Sequence, residues 1–200
     1  FRQLLGNETP TVTTVSHILD LHQRVEDFTS DDFLFLGSGN DANAISLNGF
    51  LQNVLPLVRA ARPDIRLVLA GSICDRIKDT EGVLKLGRVD NLKDAFSRAP
   101  VSINPIMLGT GINIKLLDAL AAGVPTVSTQ TGARGLSEHY RNGVIVVDDG
   151  DHQAFANAVL WLASSQQQRR ELGDRAFTDA VEWKRQQMAA LGNVLDFKRD

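Results

Sequence analysis

Pro105-Ile-Met-Leu-Gly-Thr-Gly-Ile-Asn-Ile-Lys-Leu-Leu-Asp-Ala-Leu-Ala-Ala-Gly-Val-Pro125 is a glycine turn that runs directly into an amphipathic helix, between two short apolar runs, Val101-Ser-Ile-Asn104 and Pro125-Thr-Val-Ser128. Strand, helix and strand in that order make a βαβ unit, so the two strands are expected to lie parallel. Gly109 and Gly111 let the backbone come close to a ligand. The first amides of the helix point out of its end, and its dipole favours an anion there. Ile112, Leu116 and Leu120 recur every four residues and are expected to face the sheet, which leaves Lys115 and Asp118 on another side. Thr110, Gly111, Ile112 and Asn113 are thus candidate phosphate ligands. Lys115 is a candidate countercharge for a pyrophosphate, and Asp118 a candidate acceptor for the hydroxyls of its carrier. The plain alternative is a capped helix with a Lys115–Asp118 surface ion pair worth tenths of a kcal/mol.

The same alternation extends in both directions. Phe33 to Leu36 is the first clear strand, closed by Gly37-Ser38-Gly39, and a helical segment follows from about Asn43 to Ala60, which Pro56 bends or splits. Arg66 to Ala70 and Val83 to Leu86 are further strands closed by glycine. Asp90 and Asn91 can cap a helix through about Arg98. After Ser128 come a strand at Gly143 to Val147, a helix capped by Asp151 to about Ala163, and a helical stretch from Gln166 to about Gly192. In that last stretch Leu172, Ala176, Val181, Met188 and Leu191 are the candidate inward positions. Residues 1 to 30 hold one weak strand candidate, Thr11 to Val15. The expected fold is α/β, with a doubly wound, mostly parallel, Rossmann-like sheet of six strands whose ligand sits outside the carboxyl ends of the strands.

Composition excludes several classes. Of 200 residues 43% are apolar and 22% charged, the formal net charge is −3, and no basic footprint for nucleic acid appears. Arg169-Arg170 and Lys184-Arg185 read as solvated helix faces. A lone Cys74 in apolar surroundings precludes an internal disulfide and suits a reducing compartment, so the expected location is cytoplasmic. Neither a membrane span nor a signal peptide is legible. His17, His22, His139 and His152 are scattered, with no ligand partners at metal spacing, and no metal site is expected. Gly37-Ser-Gly-Asn-Asp-Ala42 matches a dinucleotide fingerprint. The second strand, however, ends in Ala70-Gly71-Ser72 without the carboxylate that a nicotinamide or flavin ribose requires.

Gly109-Thr-Gly-Ile-Asn-Ile-Lys-Leu-Leu-Asp-Ala-Leu-Ala-Ala-Gly-Val-Pro-Thr-Val-Ser-Thr129 resembles the donor-binding motif of GT-B glycosyltransferases of the family 4 kind, the glycosyl transferases group 1. Other segments agree in order: Phe35-Leu-Gly-Ser38 with Asn43 and Phe50, Val68-Leu-Ala-Gly-Ser72, Leu86-Gly-Arg-Val89, Thr131-Gly-Ala-Arg-Gly-Leu136 and Asn142-Gly-Val-Ile-Val-Val147. The resemblance covers about residues 30 to 180. It implies one half of a GT-B architecture, the C-terminal domain that binds a nucleotide diphosphate sugar. Of the family's acidic pair, the later member maps onto Asp118 and the earlier onto the uncharged Thr110. Where the family places an Arg and a Lys against the pyrophosphate, this chain has Ser38 and uncharged residues around Asn43, so Lys115 becomes the candidate countercharge. Gly37 and Ser38 would line the opposite wall. Arg88 would sit beside the base, or is simply an exposed loop arginine.

The resemblance further implies a metal-independent transferase that retains anomeric configuration and needs no cofactor beyond its donor. The acceptor, whether sugar, lipid or polysaccharide, would be held by an N-terminal domain. Residues 1–30 are then expected to connect from that domain, 31–165 to bind the donor and 166–200 to form a helical extension. By itself the chain would be inactive, and any peripheral membrane association would depend on the other half. A non-catalytic nucleotide-binding module and a nucleotide-sugar epimerase are the alternatives.

Overall fold

In a computed structural model, which describes residues 13–21 and 24–196, the six strands expected of the sheet and the helices between and after them are present. The strands are β1 (Phe33–Leu36), β2 (Leu67–Ala70), β3 (Val83–Gly87), β4 (Ser102–Asn104), β5 (Thr126–Thr129) and β6 (Val144–Val147). They form one sheet in the order β3-β2-β1-β4-β5-β6, and all five pairings are parallel. Strand order reverses between β1 and β4, the switch point at which such sheets open a ligand crevice. That join is narrow: only Leu34 and Ser102 stand in register, whereas β1 and β2 are matched over four residues.

Two-sided burial explains the unbroken apolar strands. Phe33, Phe35, Leu67 and Leu69 face α1 (Asp41–Asn53), α2 (Leu55–Ala61) and α5 (His152–Ala163), where Phe50 sits edge-on between Phe33 and Phe155 at 6.0 and 5.5 Å. Leu34, Val68 and Ala70 face the other side, against α3 (Leu92–Arg98) and α4 (Ile114–Ala121). On the outer side of α4 lies α6 (Gln166–Asp196), which packs through Ala176, Ala180 and Trp183. Asn40, Asn91 and Asp151 cap α1, α3 and α5 with their side chains. Pro56 does split the long helical segment, at the start of α2, where its missing N–H costs least.

Four expectations need correction. Residues 13–15 of the weak strand candidate carry no regular structure, and its first two residues lie outside the described part. The long helix extends past Gly192 to Asp196. Val181 and Met188 point outward, 43% and 48% exposed, because α6 approaches α4 and β6 through small residues instead. A Cβ on Gly173 would strike the Gly123 carbonyl and the Phe28 ring, and one on Gly143 would strike Ala176. Arg169, finally, is no solvated residue: it is 2% exposed and donates to the carbonyls of Phe28, Leu162 and Ala163 and to Asp31.

At the crevice, β1 and β2 end against each other. Gly37 donates to the Ala70 carbonyl at 2.9 Å, and Ile73 to the Gly37 carbonyl at 3.1 Å. Gly71 has φ +98° and ψ −177°, a region open to glycine alone, and a Cβ there would collide with the Gly37 carbonyl oxygen. Gly71→Ala is therefore expected to destabilise the fold by about 2–3 kcal/mol. A urea titration that finds an unchanged midpoint would contradict this.

Candidate functional site

The carboxyl ends of β1, β2 and β3 and the start of α4 enclose an open cleft of about 690 Å³. One wall is the β1 turn, with Gly37, Ser38, Asn40 and Asn43. Gly71 and Ser72 follow β2, and Arg88, Val89 and Leu92 follow β3. Ile112, Ile114, Lys115 and Asp118 form the opposite wall. Of the residues singled out in the sequence, Gly37, Ser38, Arg88, Ile112, Lys115 and Asp118 thus meet around one cavity. Arg88 is both an exposed loop residue and part of its lining.

Lys115 and Asp118 share a helix face, yet Lys115 turns to the β1 side rather than to the carboxylate. Its Nζ donates to Asn43 Oδ1 at 2.6 Å and lies 4.8 Å from the centre of the Phe35 ring. Asn43 is buried and donates through Nδ2 to the Ser38 carbonyl and hydroxyl, at 2.9 and 3.2 Å. One polar chain therefore runs from α4 across the switch point into the β1 turn. Burial lowers the Lys115 ammonium to a pKa of about 8, so a partly desolvated cation stands in the cleft. Asp118 separates the cleft from a second recess of about 180 Å³, which Asp20 and Asp90 also line. Burial raises the Asp118 carboxyl pKa, and the charge of His17 pulls it the other way.

The glycine turn departs from expectation. α4 begins at Ile114, so Thr110, Gly111 and Ile112 precede the helix, and Asn113 is its N-cap. Gly109, Thr110 and Gly111 are exposed and outside the cleft lining, and the Gly109 carbonyl accepts from Arg134. Asn113 does not cap α4 with its side chain. Instead its Nδ2 donates at 2.9 Å to Oδ1 of Asn104, which is 1% exposed. Sequence reasoning takes in Ser72 and Val89 only as parts of the segments that resemble the family, and does not single out Asn104 and Leu92 for the site. An asparagine closing the otherwise apolar strand Val101-Ser-Ile-Asn104 was the available signal, because a buried amide needs several partners. His22 lies outside the described residues. Among those described, no three His, Cys, Asp or Glu side chains converge on a point, and no helix is long and apolar enough to cross a membrane.

The sequence model of the family described as glycosyl transferases group 1 matches residues 30–165. The chain belongs to this family. A curated relative of this group 1 chain, an uncharacterized 44.6 kDa protein in the cps region of Klebsiella pneumoniae, is 24% identical over 187 residues. That match takes in 86% of the chain but 48% of the relative, so the chain spans about half the relative's length. Among solved structures, S. aureus TarM in complex with fondaparinux, alpha-GlcNAc-glycerol and UDP superposes with a TM-score of 0.75 at 15% identity, covering 98% of this chain and 41% of TarM. Sucrose-phosphate synthase from Thermosynechococcus elongatus gives 0.70 at 17% identity, over 99% of this chain and 54% of that one. Anabaena HepE in complex with UDP and glucose gives 0.66 at 14% identity, over 89% and 56%. At such identities these likenesses establish a shared α/β half-domain of the GT-B kind.

Proposed function

We propose that this chain is the donor-binding half of a glycosyltransferase that moves a sugar from a nucleotide diphosphate sugar to an acceptor hydroxyl, with retention and without a metal. The observation that carries this reading is the placement of Lys115 and Asp118 on one face of α4, both lining a cleft at the switch point of the sheet. Breaking the bond from the sugar's anomeric carbon to the diphosphate oxygen leaves negative charge on the departing nucleoside diphosphate. The Lys115 ammonium and the open end of α4 are suited to stabilise that charge. Asp118 would accept hydrogen bonds from the ribose or sugar hydroxyls. Gly37 and Ser38 would bound the phosphates from the other side, and Arg88 with Val89 and Leu92 would flank the base. UDP in the TarM and HepE complexes supports a nucleoside diphosphate as the ligand class.

On the same reading, residues 31–165 bind the donor and 166–200 are a C-terminal extension, helical from Gln166 to Asp196. Acceptor contacts come from a further domain to which residues 1–30 connect, in keeping with the half-length match to the curated relative. The cytoplasm, where nucleotide sugars and reduced cysteine coexist, is the proposed location.

Calorimetric titration with UDP, GDP and ADP tests the assignment. The 200-residue chain is expected to bind at least one of them, to lose about tenfold in affinity with Asp118→Ala, and to be indifferent to EDTA. It is also expected to transfer no sugar unaided. Failure to bind any of the three would overturn the site, and sugar transfer by this chain alone would overturn the division of labour.

A further inference from the structure

We infer that Asn104 is a positioning residue: by holding the Asn113 side chain it keeps the first turn of α4 uncapped, so that the Lys115 amide stays open to a phosphate oxygen. The inference rests on the donor-binding reading above. Asn104 Nδ2 donates to the Gly132 carbonyl at 2.9 Å and to Ser128 Oγ at 3.1 Å. Because a carbonyl can only accept, this fixes which way round the Asn104 amide lies. Its Oδ1 must then face Asn113, and it takes the Asn113 Nδ2 at 2.9 Å.

Asparagine at an N-cap ordinarily turns its own oxygen onto the second or third amide of the helix. Asn91 does so in this molecule, accepting from Lys93 at 2.8 Å, and Asn40 accepts from Asn43 at 2.8 Å. The corresponding second amide of α4 belongs to Lys115. It has no acceptor among the described residues, nor does that of Ile114, whereas the Leu116 and Leu117 amides already reach the Asn113 carbonyl. Ile114 and Lys115 both line the cleft. Lys115 thus offers a backbone donor and a side-chain cation from one residue. A side chain free to cap α4 would compete with the ligand for the first of these.

Two pairs of variants separate this role from plain support of the fold. Asn113→Ser is too short to reach Asn104 but can cap the Lys115 amide, whereas Asn113→Gly can do neither. In titrations with UDP, GDP and ADP, the serine variant is expected to bind roughly fivefold to tenfold more weakly than the glycine variant. Likewise Asn104→Ala, which frees Asn113, is expected to bind more weakly than the double variant Asn104→Ala/Asn113→Gly, so that a second substitution restores affinity. Hydrogen exchange gives a reading that needs no ligand. The Lys115 amide is expected to exchange fast in the wild type, slowly in Asn113→Ser and Asn104→Ala, and fast again in the double variant.

Equal affinities within each pair, or a double variant weaker than Asn104→Ala, would overturn the inference. So would a Lys115 amide that exchanges at one rate throughout. The expected exchange pattern in a protein that binds none of the three nucleotides would leave the uncapped geometry standing and remove the donor-binding reading.

Discussion

Lys115→Met is expected to weaken nucleoside diphosphate binding by about 100-fold, as a charge-assisted hydrogen bond in a partly desolvated cleft contributes about 2–3 kcal/mol. Methionine keeps much of the stem's volume, so packing against Phe35 largely persists and the loss reports the charge. The pH dependence gives a second signature. Burial places the Lys115 pKa near 8, below the ordinary lysine value of 10.5. The cation that binds phosphate is therefore fully present below about pH 7 and is lost as pH rises through 8, where affinity is expected to fall by up to tenfold per unit. For folding the sign is opposite. Between about 8 and 10.5 the unfolded chain holds a proton that the folded one has released, so the unliganded protein gains stability across that window. Titrations at pH 7 and 9, with urea melts at the same two values, should show affinity dropping while stability rises. Lys115→Met should show neither trend from this group.

Arg169→Ala is expected to cost about 4 kcal/mol of stability, or roughly 8–16 °C in Tm for a chain of this size. The guanidinium is 2% exposed and reaches three backbone carbonyls and the Asp31 carboxylate at 2.8–3.1 Å. Two of the carbonyls, Leu162 and Ala163, end α5, and the third, Phe28, belongs to the segment before β1. Truncation strands the Phe28 and Ala163 carbonyls in the interior with a void beside them, whereas the Leu162 carbonyl keeps backbone donors at the end of α5. Asp31 keeps a partner in Arg62 at 3.0 Å, so the carboxylate is not the main loss. Arg169→Lys retains the charge but not the fork, and is expected to lose about half as much. Scanning calorimetry on both variants checks the order, and an alanine variant as stable as the wild type would contradict it.

The sheet was legible because each strand is a short run rich in apolar or β-branched residues, and Gly37, Gly71, Gly87 and Asn104 close the first four, a local pattern that needs no distant partner. α6 was legible as a helix, and Ala176 as an inward position, but the rest of its buried side was not. Beside Trp183 that side is made of Gly173, Ala176 and Ala180, small because the neighbouring backbone lies so close, while Val181 and Met188 face out. Hydrophobic periodicity favours large side chains and misplaces a helix whose closest approach is through small ones. Arg169 and Arg170 are neighbours in one basic pair, and only the fold brings the Phe28 carbonyl, 141 residues away, to the first of them. At the cleft, the chemistry of Lys115 and Asp118 could be read from their spacing. The diversion of Asn113 to Asn104 could not, because an asparagine before a helix reads locally as its cap.

The one-pair join between β1 and β4 divides the sheet into two contributions. Residues 33–87 hold three adjacent strands and residues 102–147 the other three, and the two sets meet edge to edge at this join. Gly37, Ser38, Asn43, Ser72 and Arg88 belong to the first set, and Ile112, Lys115 and Asp118 to the second. The cleft therefore exists only where the two sets are held together. On the donor-binding proposal, a nucleoside diphosphate lying across the cleft would act as a rivet at the narrowest place in the sheet, where the Lys115–Asn43 bond is already one fastening.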